Sequence, residues 1–234
     1  MALVQESERA DAVGPALARL LARLTGDGLQ QVSNQPPADR LGQWMAWTDA
    51  IALSAVLDRP APVVRAGAAL NAAQACQQLR RELTDAVMGD ALLSATVRRD
   101  AARSGGRRAA PPPEPDYETY RERYVLLQRT MASRITELRQ RLRGTLAAKG
   151  DDRARLAAAD AVMESITQGR ESSALDAIPN LLEKRFLHVG QSAGSESSDS
   201  WRAVFCQDMR SVLLAELDVR LLPVEGLAEA LNEH

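Results

Sequence analysis

The feature that most constrains this chain is a single apolar stripe. Between Asp116 and about Ala148, the residues Tyr120, Tyr124, Leu127, Met131, Ile135, Leu138 and Leu142 recur at three- and four-residue steps, the spacing that gathers side chains on one face of an α-helix. At about 1.5 Å per residue such a helix is roughly 50 Å long, more than a compact globule holds alone. It must therefore join a bundle or fold back on itself. Lys149-Gly150 supplies the turn, Asp151 or Asp152 a cap, and Leu156, Ala159, Met163 and Ile166 repeat the seam on the return. The fold class expected is all-α: a helical bundle with a long antiparallel coiled-coil-like hairpin.

Composition agrees. Hydrophobic residues make up 45% of the 234 positions but aromatics only 3%, so the core is to be built from the alanine and leucine of helices rather than the β-branched and aromatic residues of sheets. The same 45% is enough for a core without disulfide support. Cys76 and Cys206 stand far apart in helical patterns and read as core fillers of a reduced protein. Residues 1–12 carry acids where an export signal needs a basic start, and no apolar run approaches the roughly 20 residues that span a bilayer. A cytoplasmic location without direct membrane insertion is expected.

The other elements follow from punctuation and period. Gly14-Pro15 opens a short helix with Leu17, Leu20, Leu21 and Leu24 inward, within a mobile N-terminus over 1–38. Over 39–100 two helices are expected. Asp39 caps the first, which runs to Leu57 with Leu41, Trp44, Met45, Thr48, Ile51, Ala52 and Ala55 on one side. The second spans Val63 to Arg99 with Ala69, Ala72, Cys76, Leu79, Leu83 and Ala86 inward. Residues 101–115, AARSGGRRAAPPPEP, form a flexible linker. The unit 116–189 holds the hairpin and a helix from Ser172 to His188, with Leu175, Ile178, Leu182 and Phe186 inward and Pro179 in its second turn. Serine and glycine make 190–200 a loop, and 201–234 is a final helix from Trp201 to Leu222, stopped by Pro223, with a short tail. Val204, Phe205, Met209, Val212, Leu213 and Leu217 are expected on its inner face.

Signatures of chemistry are scarce. The two histidines are His188, at a helix end, and the terminal His234, so a triad or histidine-metal cluster has little to stand on. No zincin helix, phosphate-binding loop or paired C-x-x-C is present, and no cofactor or metal is expected. The remaining acid candidates are Asp49, Asp160, Asp208 and Glu216-x-Asp218, all in apolar helical stretches. They make an acidic centre only if they converge; otherwise each faces solvent or pairs with an arginine of the long basic helix.

Charge is unevenly spread beneath a net of −2. Residues 98–155 hold fifteen Arg or Lys against eight Asp or Glu, and residues 156–234 hold six against thirteen. Two readings stay open. The basic segment binds nucleic-acid phosphates or an acidic partner, through Arg98, Arg99, Arg103, Arg107 and Arg108 near the linker and Arg134, Arg141 and Arg143 on the long helix. Alternatively the basic hairpin lies against the chain's own acidic C-terminal helices. Trp44, Trp47 and Trp201 are either interface anchors or core rings, and Tyr117, Tyr120 and Tyr124 pose the same choice.

Several stretches carry a family resemblance: DRLGQWMAWTDAIALSAVL at 39–57, YETYRERYVLLQRTM at 117–131, LAAADAVME at 156–164, IPNLLEKRF at 178–186 and the C-terminal VFCQDMRSVLLAELDVRLLPVEGLAEAL. Together they resemble a bacterial family of unknown biochemical activity that bears a domain-of-unknown-function label. The resemblance covers most of 39–232 and none of its motifs is catalytic. It implies genes for a motor-stator-like inner-membrane protein and an OmpA-like peptidoglycan-binding protein alongside, an arrangement resembling type III Zorya anti-phage defence. On that basis the chain is expected to be a non-enzymatic cytoplasmic component contacting a second soluble subunit, the motor's cytoplasmic tail or DNA, with a homo-oligomer also open. The alternatives are an independent, sequence-nonspecific DNA-binding protein and, more remotely, an enzyme with a helix-borne acidic site.

Overall fold

The computed structural model describes residues 15–25, 47–58, 71–94, 115–193 and 198–232. These residues form an all-α bundle without strands. Its helices are α1 (Pro15–Thr25), α2 (Trp47–Asp58), α3 (Ala72–Met88), α4 (Tyr117–Ala147), α5 (Asp151–Leu175), α6 (Ile178–Ser192) and α7 (Ser198–Asn232). The linker prediction over 101–115 falls almost wholly outside the described residues, as do the N-terminal part of the 39–57 helix and residues 194–197. Helices from both sides of the linker nonetheless share one core, from Leu17 through Leu79 and Leu142 to Leu231.

The long hairpin is present. Asp116 caps α4 by accepting from the backbone N–H of Thr119 at 3.0 Å and its hydroxyl at 2.7 Å. All seven stripe residues from Tyr120 to Leu142 are buried. The turn depends on Gly150, whose φ of 125° is a conformation open chiefly to glycine. Gly150 is itself the N-cap of α5, so Asp151 and Asp152 do not cap it but lie in its first turn, favourably placed for the helix dipole.

On the return helix the seam is shifted. Ala154 and Ala157 are buried while Leu156 is 46% exposed, because small side chains let α5 approach α4 closely and the larger ones sit at the edge of the contact. Helix α7 runs centrally, packing on α4, α3, α6 and α1; α2 packs on α5.

Several expected boundaries are corrected. The helix predicted over 172–188 is divided: α5 runs on to Leu175 and α6 begins at Ile178, which places Pro179 in the first turn, where its missing N–H costs nothing. Leu175 and Ile178 flank this joint and are both fully buried, so the break is packed rather than solvated. The loop expected over 190–200 shrinks, since α6 continues through Ser192 and α7 starts at Ser198. Pro223 does not stop the last helix; it lies inside α7, which reaches Asn232. The apolar stripe explains this, because Leu217, Leu221, Val224, Ala228 and Leu231 continue across the proline, all buried. Burying each large member contributes about 1.5–3 kcal/mol, which together exceeds the ~3 kcal/mol cost of a proline in a helix interior.

The second predicted helix, Val63 to Arg99, is interrupted: α3 ends at Met88 with Gly89 as its C-cap, and Asp90 then caps a further helical segment, described over 91–94, by accepting from Leu92 and Leu93 N–H. In α3 the inward residue is Val87 rather than Ala86, which is exposed, and Ala69 lies outside the described residues. Ile51, Ala52 and Ala55 of α2 are exposed, and so is Val204 of α7.

Candidate functional site

The polar heart of the bundle lies where α4, α5 and α7 meet. Gln128 occupies a position in the apolar stripe of α4, one turn after Tyr124 and one before Met131, and is buried with them. Both polar residues face the fully buried Glu216 of α7. The Tyr124 hydroxyl donates to its Oε2 at 2.8 Å, and the Gln128 amide donates to Oε2 at 3.0 Å and Oε1 at 3.2 Å. Arg220, one turn further along α7, completes the shell with Nε at 2.9 Å and Nη2 at 2.8 Å from Oε1. A buried carboxylate is tolerated only when its lone pairs and charge are met, and here they are. Burial and the neighbouring carboxylate push the Tyr124 hydroxyl well above its ordinary value, so it remains a donor.

A second cluster joins the arms of the hairpin. Arg139 and Arg143 stand one turn apart on α4, opposite Asp160 and Glu164, one turn apart on α5. Arg139 donates from Nε and Nη2 to the two oxygens of Asp160 at 2.9 and 2.7 Å, and its Nη1 lies 3.4 Å from Glu164. Arg143 pairs with Glu164 and lies 3.1 Å from Asp160. With side chains only 11% and 16% exposed, these arginines are screened little by solvent.

Of the predicted contact arginines, Arg143 is thus an internal counter-ion and not a free surface. Arg134 is exposed and pairs with Glu82 of α3 at 2.8 Å. Arg141 is exposed beside the α3–α4 groove and has no ion pair among the described residues. Arg98, Arg99, Arg103, Arg107 and Arg108 lie outside the described residues, and so does Trp44; Trp47 opens α2, but its side chain is not described.

Trp201 belongs to an aromatic cluster. Phe186 meets the rings of Trp201 and Phe205 edge-on, both at 5.0 Å between centroids, and Tyr120 meets Phe205 at 5.3 Å. The Arg202 guanidinium lies 4.5 Å from the Trp201 ring centre. Tyr117 joins the same cluster at the start of α4 and donates its hydroxyl to the Pro179 carbonyl.

The acid candidates do not converge on one centre. Asp208 binds Arg185 at 2.8 Å, Asp218 binds Arg80, and Glu216 and Asp160 are held as above. Arginine partners thus come from α3, α6 and α7 as well as from the long basic helix. Cys76 and Cys206 are buried, and burial raises both thiols. His188 is exposed on α6. Among the described residues no three His, Cys, Asp or Glu are grouped to hold a metal, and no helix is long and apolar enough to cross a membrane.

The sequence carries signals for two details that the expectations above leave unnamed, the burial of Gln128 and the residues that pair with Asp160 and Glu164. Gln128 interrupts an otherwise apolar stripe, and the Arg139/Arg143 spacing mirrors Asp160/Glu164 across the Gly150 turn.

No curated protein and no solved structure matches the chain. A family model matches residues 3–233, nearly the whole sequence. The chain belongs to the family described as protein of unknown function DUF3348.

Proposed function

We propose that this chain is a non-enzymatic helical scaffold of a membrane-motor-linked, Zorya-like anti-phage defence system, cytoplasmic and acting through contacts with protein partners. The defence context rests on the resemblance in the segments quoted above. The observation that carries the scaffold reading is the way the helix-borne acids are used: Asp160, Glu164, Asp208, Glu216 and Asp218 each hold an arginine. An acid committed to a cation in this way is poorly placed to take up a substrate proton, and four of the five pairs also tie one helix to another.

The second reading is sequence-independent DNA binding. Arg141 favours it, being exposed and, among the described residues, without an acidic partner. Phosphate-dominated binding falls steeply with salt, whereas an apolar protein contact does not.

The test is phage plating on cells carrying the complete gene cluster. Deleting this gene should abolish protection, and Asp208→Asn, which removes a charge without removing volume, should retain it. Full protection without the gene contradicts the defence role, and loss of protection by a folded Asp208→Asn protein contradicts the non-enzymatic one.

A further inference from the structure

The ion-pair clusters leave one carboxylate over. A cleft of about 120 Å³ opens between α4, α5 and α7, lined by Thr136 and Arg139 of α4, Gln168, Glu171 and Ser172 of α5 and Arg220 of α7. Arg139 is committed to Asp160 and Arg220 to Glu216. Among the described residues the Glu171 carboxylate has no hydrogen-bond or ion-pair partner, and the side chains of Thr136, Gln168 and Ser172 have none either. Counted over the described side chains of both clusters, Arg139, Arg143 and Arg220 face Asp160, Glu164, Glu216 and Glu171, three cations against four acids.

We propose that this cleft receives a cationic side chain, of the arginine type, from a partner polypeptide, with the Glu171 carboxylate as its counter-ion. The inference rests on the scaffold reading and names the chemistry of one contact. Every other acid at this junction is met by a guanidinium, and Glu171 stands among neutral oxygens that suit the rest of such a fork. A guanidinium carries five N–H donors. The carboxylate accepts two, while the Gln168 amide oxygen and the Thr136 and Ser172 hydroxyls offer acceptors for others. The cavity's volume equals about four waters at their liquid share of ~30 Å³ each, enough for a guanidinium group with residual solvent. Burial raises the Glu171 carboxyl despite the nearby Arg220 and Arg139, as expected of an acid lacking a contact partner. An incoming cation would reverse that shift.

The experiment follows the Glu171 carboxyl carbon by NMR in the full chain labelled at glutamate, its signal assigned by its disappearance in Glu171→Gln. The probes are Nα-acetyl-arginine amide, its neutral isostere Nα-acetyl-citrulline amide, and putrescine. A saturable displacement with the arginine probe, a fall in the Glu171 pKa at saturation and no response to citrulline are expected. Glu171→Asp, which keeps the charge but withdraws it, should weaken binding about tenfold and provides the assignment if Glu171→Gln fails to fold. No saturable displacement, or an equal response to citrulline, overturns the proposal. Putrescine binding at least about tenfold tighter than the arginine probe assigns the cleft to a free diamine and overturns the side-chain assignment. None of these failures touches the scaffold reading, which partner capture tests separately.

Discussion

Arg139 and Asp160 form a two-pronged pair across the hairpin, 2.9 and 2.7 Å from nitrogen to oxygen, at a level where both side chains are largely withdrawn from water. Removing one partner from such a pair strands the other, which typically costs about 3–5 kcal/mol. Glu164 remains as a second acid, so Asp160→Ala should lose about 2–3 kcal/mol, just below that range. Urea denaturation measures this directly. A loss below about 0.5 kcal/mol, the scale of an exposed pair, would mean that the hairpin arms are not held together here.

Tyr124→Phe tests the buried Glu216 shell. The substitution keeps the ring and deletes one donor to a carboxylate that stays buried, a loss of about 1–3 kcal/mol. The same denaturation experiment should show it with the slope unchanged. An unaffected midpoint would place Glu216 in contact with solvent.

Much of this architecture was legible from sequence, and its limits have physical causes. The stripe from Tyr120 to Leu142, the Asp116 cap and the Gly150 turn follow from local rules of period and backbone conformation. Leu156 and Pro223 were misassigned for the opposite reason. Whether an exposed leucine or an interior proline is tolerated depends on which face tertiary packing buries, and a local window does not contain that information. That Asp160 pairs with an arginine of the long basic helix is one of the two readings given for the helix-borne acids, and the fold shows it, with Arg139 and Arg143 as the arginines. Arg141 keeps the contact reading, and the linker arginines lie outside the described residues.

Protonation of Glu171 gives a pH signature. Its carboxyl is raised from the ordinary glutamate value of 4.5, chiefly by burial, with Glu216 and Glu164 adding to the rise and Arg220 and Arg139 opposing it. The folded state therefore binds this proton more tightly than the unfolded state. That contribution favours the fold at low pH and is lost as pH rises from 4.5 through the raised folded value. Glu171→Gln removes it, so the stability difference between mutant and wild type should change across that window and level off above it. Parallel pH profiles for the two proteins would contradict the assignment.

Arg141→Gln should leave the melting temperature within about 1 °C of wild type, since an exposed arginine with no ion pair among the described residues contributes little to the fold. If the DNA-binding reading holds, the same substitution weakens binding to a random-sequence duplex and reduces the slope of log affinity against log salt by about one. An unchanged affinity at low ionic strength removes Arg141 from any phosphate contact.

The central claim is that the chain works by holding partners, and the measurement closest to it is affinity capture of the tagged protein from phage-challenged cells that carry the whole gene cluster. Captures are compared in low and high salt and with and without nuclease. The motor's cytoplasmic tail or a second soluble subunit is expected to be retained after nuclease treatment and in high salt. Recovery of DNA alone, released by salt, or of no companion from the gene cluster under any condition, would contradict it.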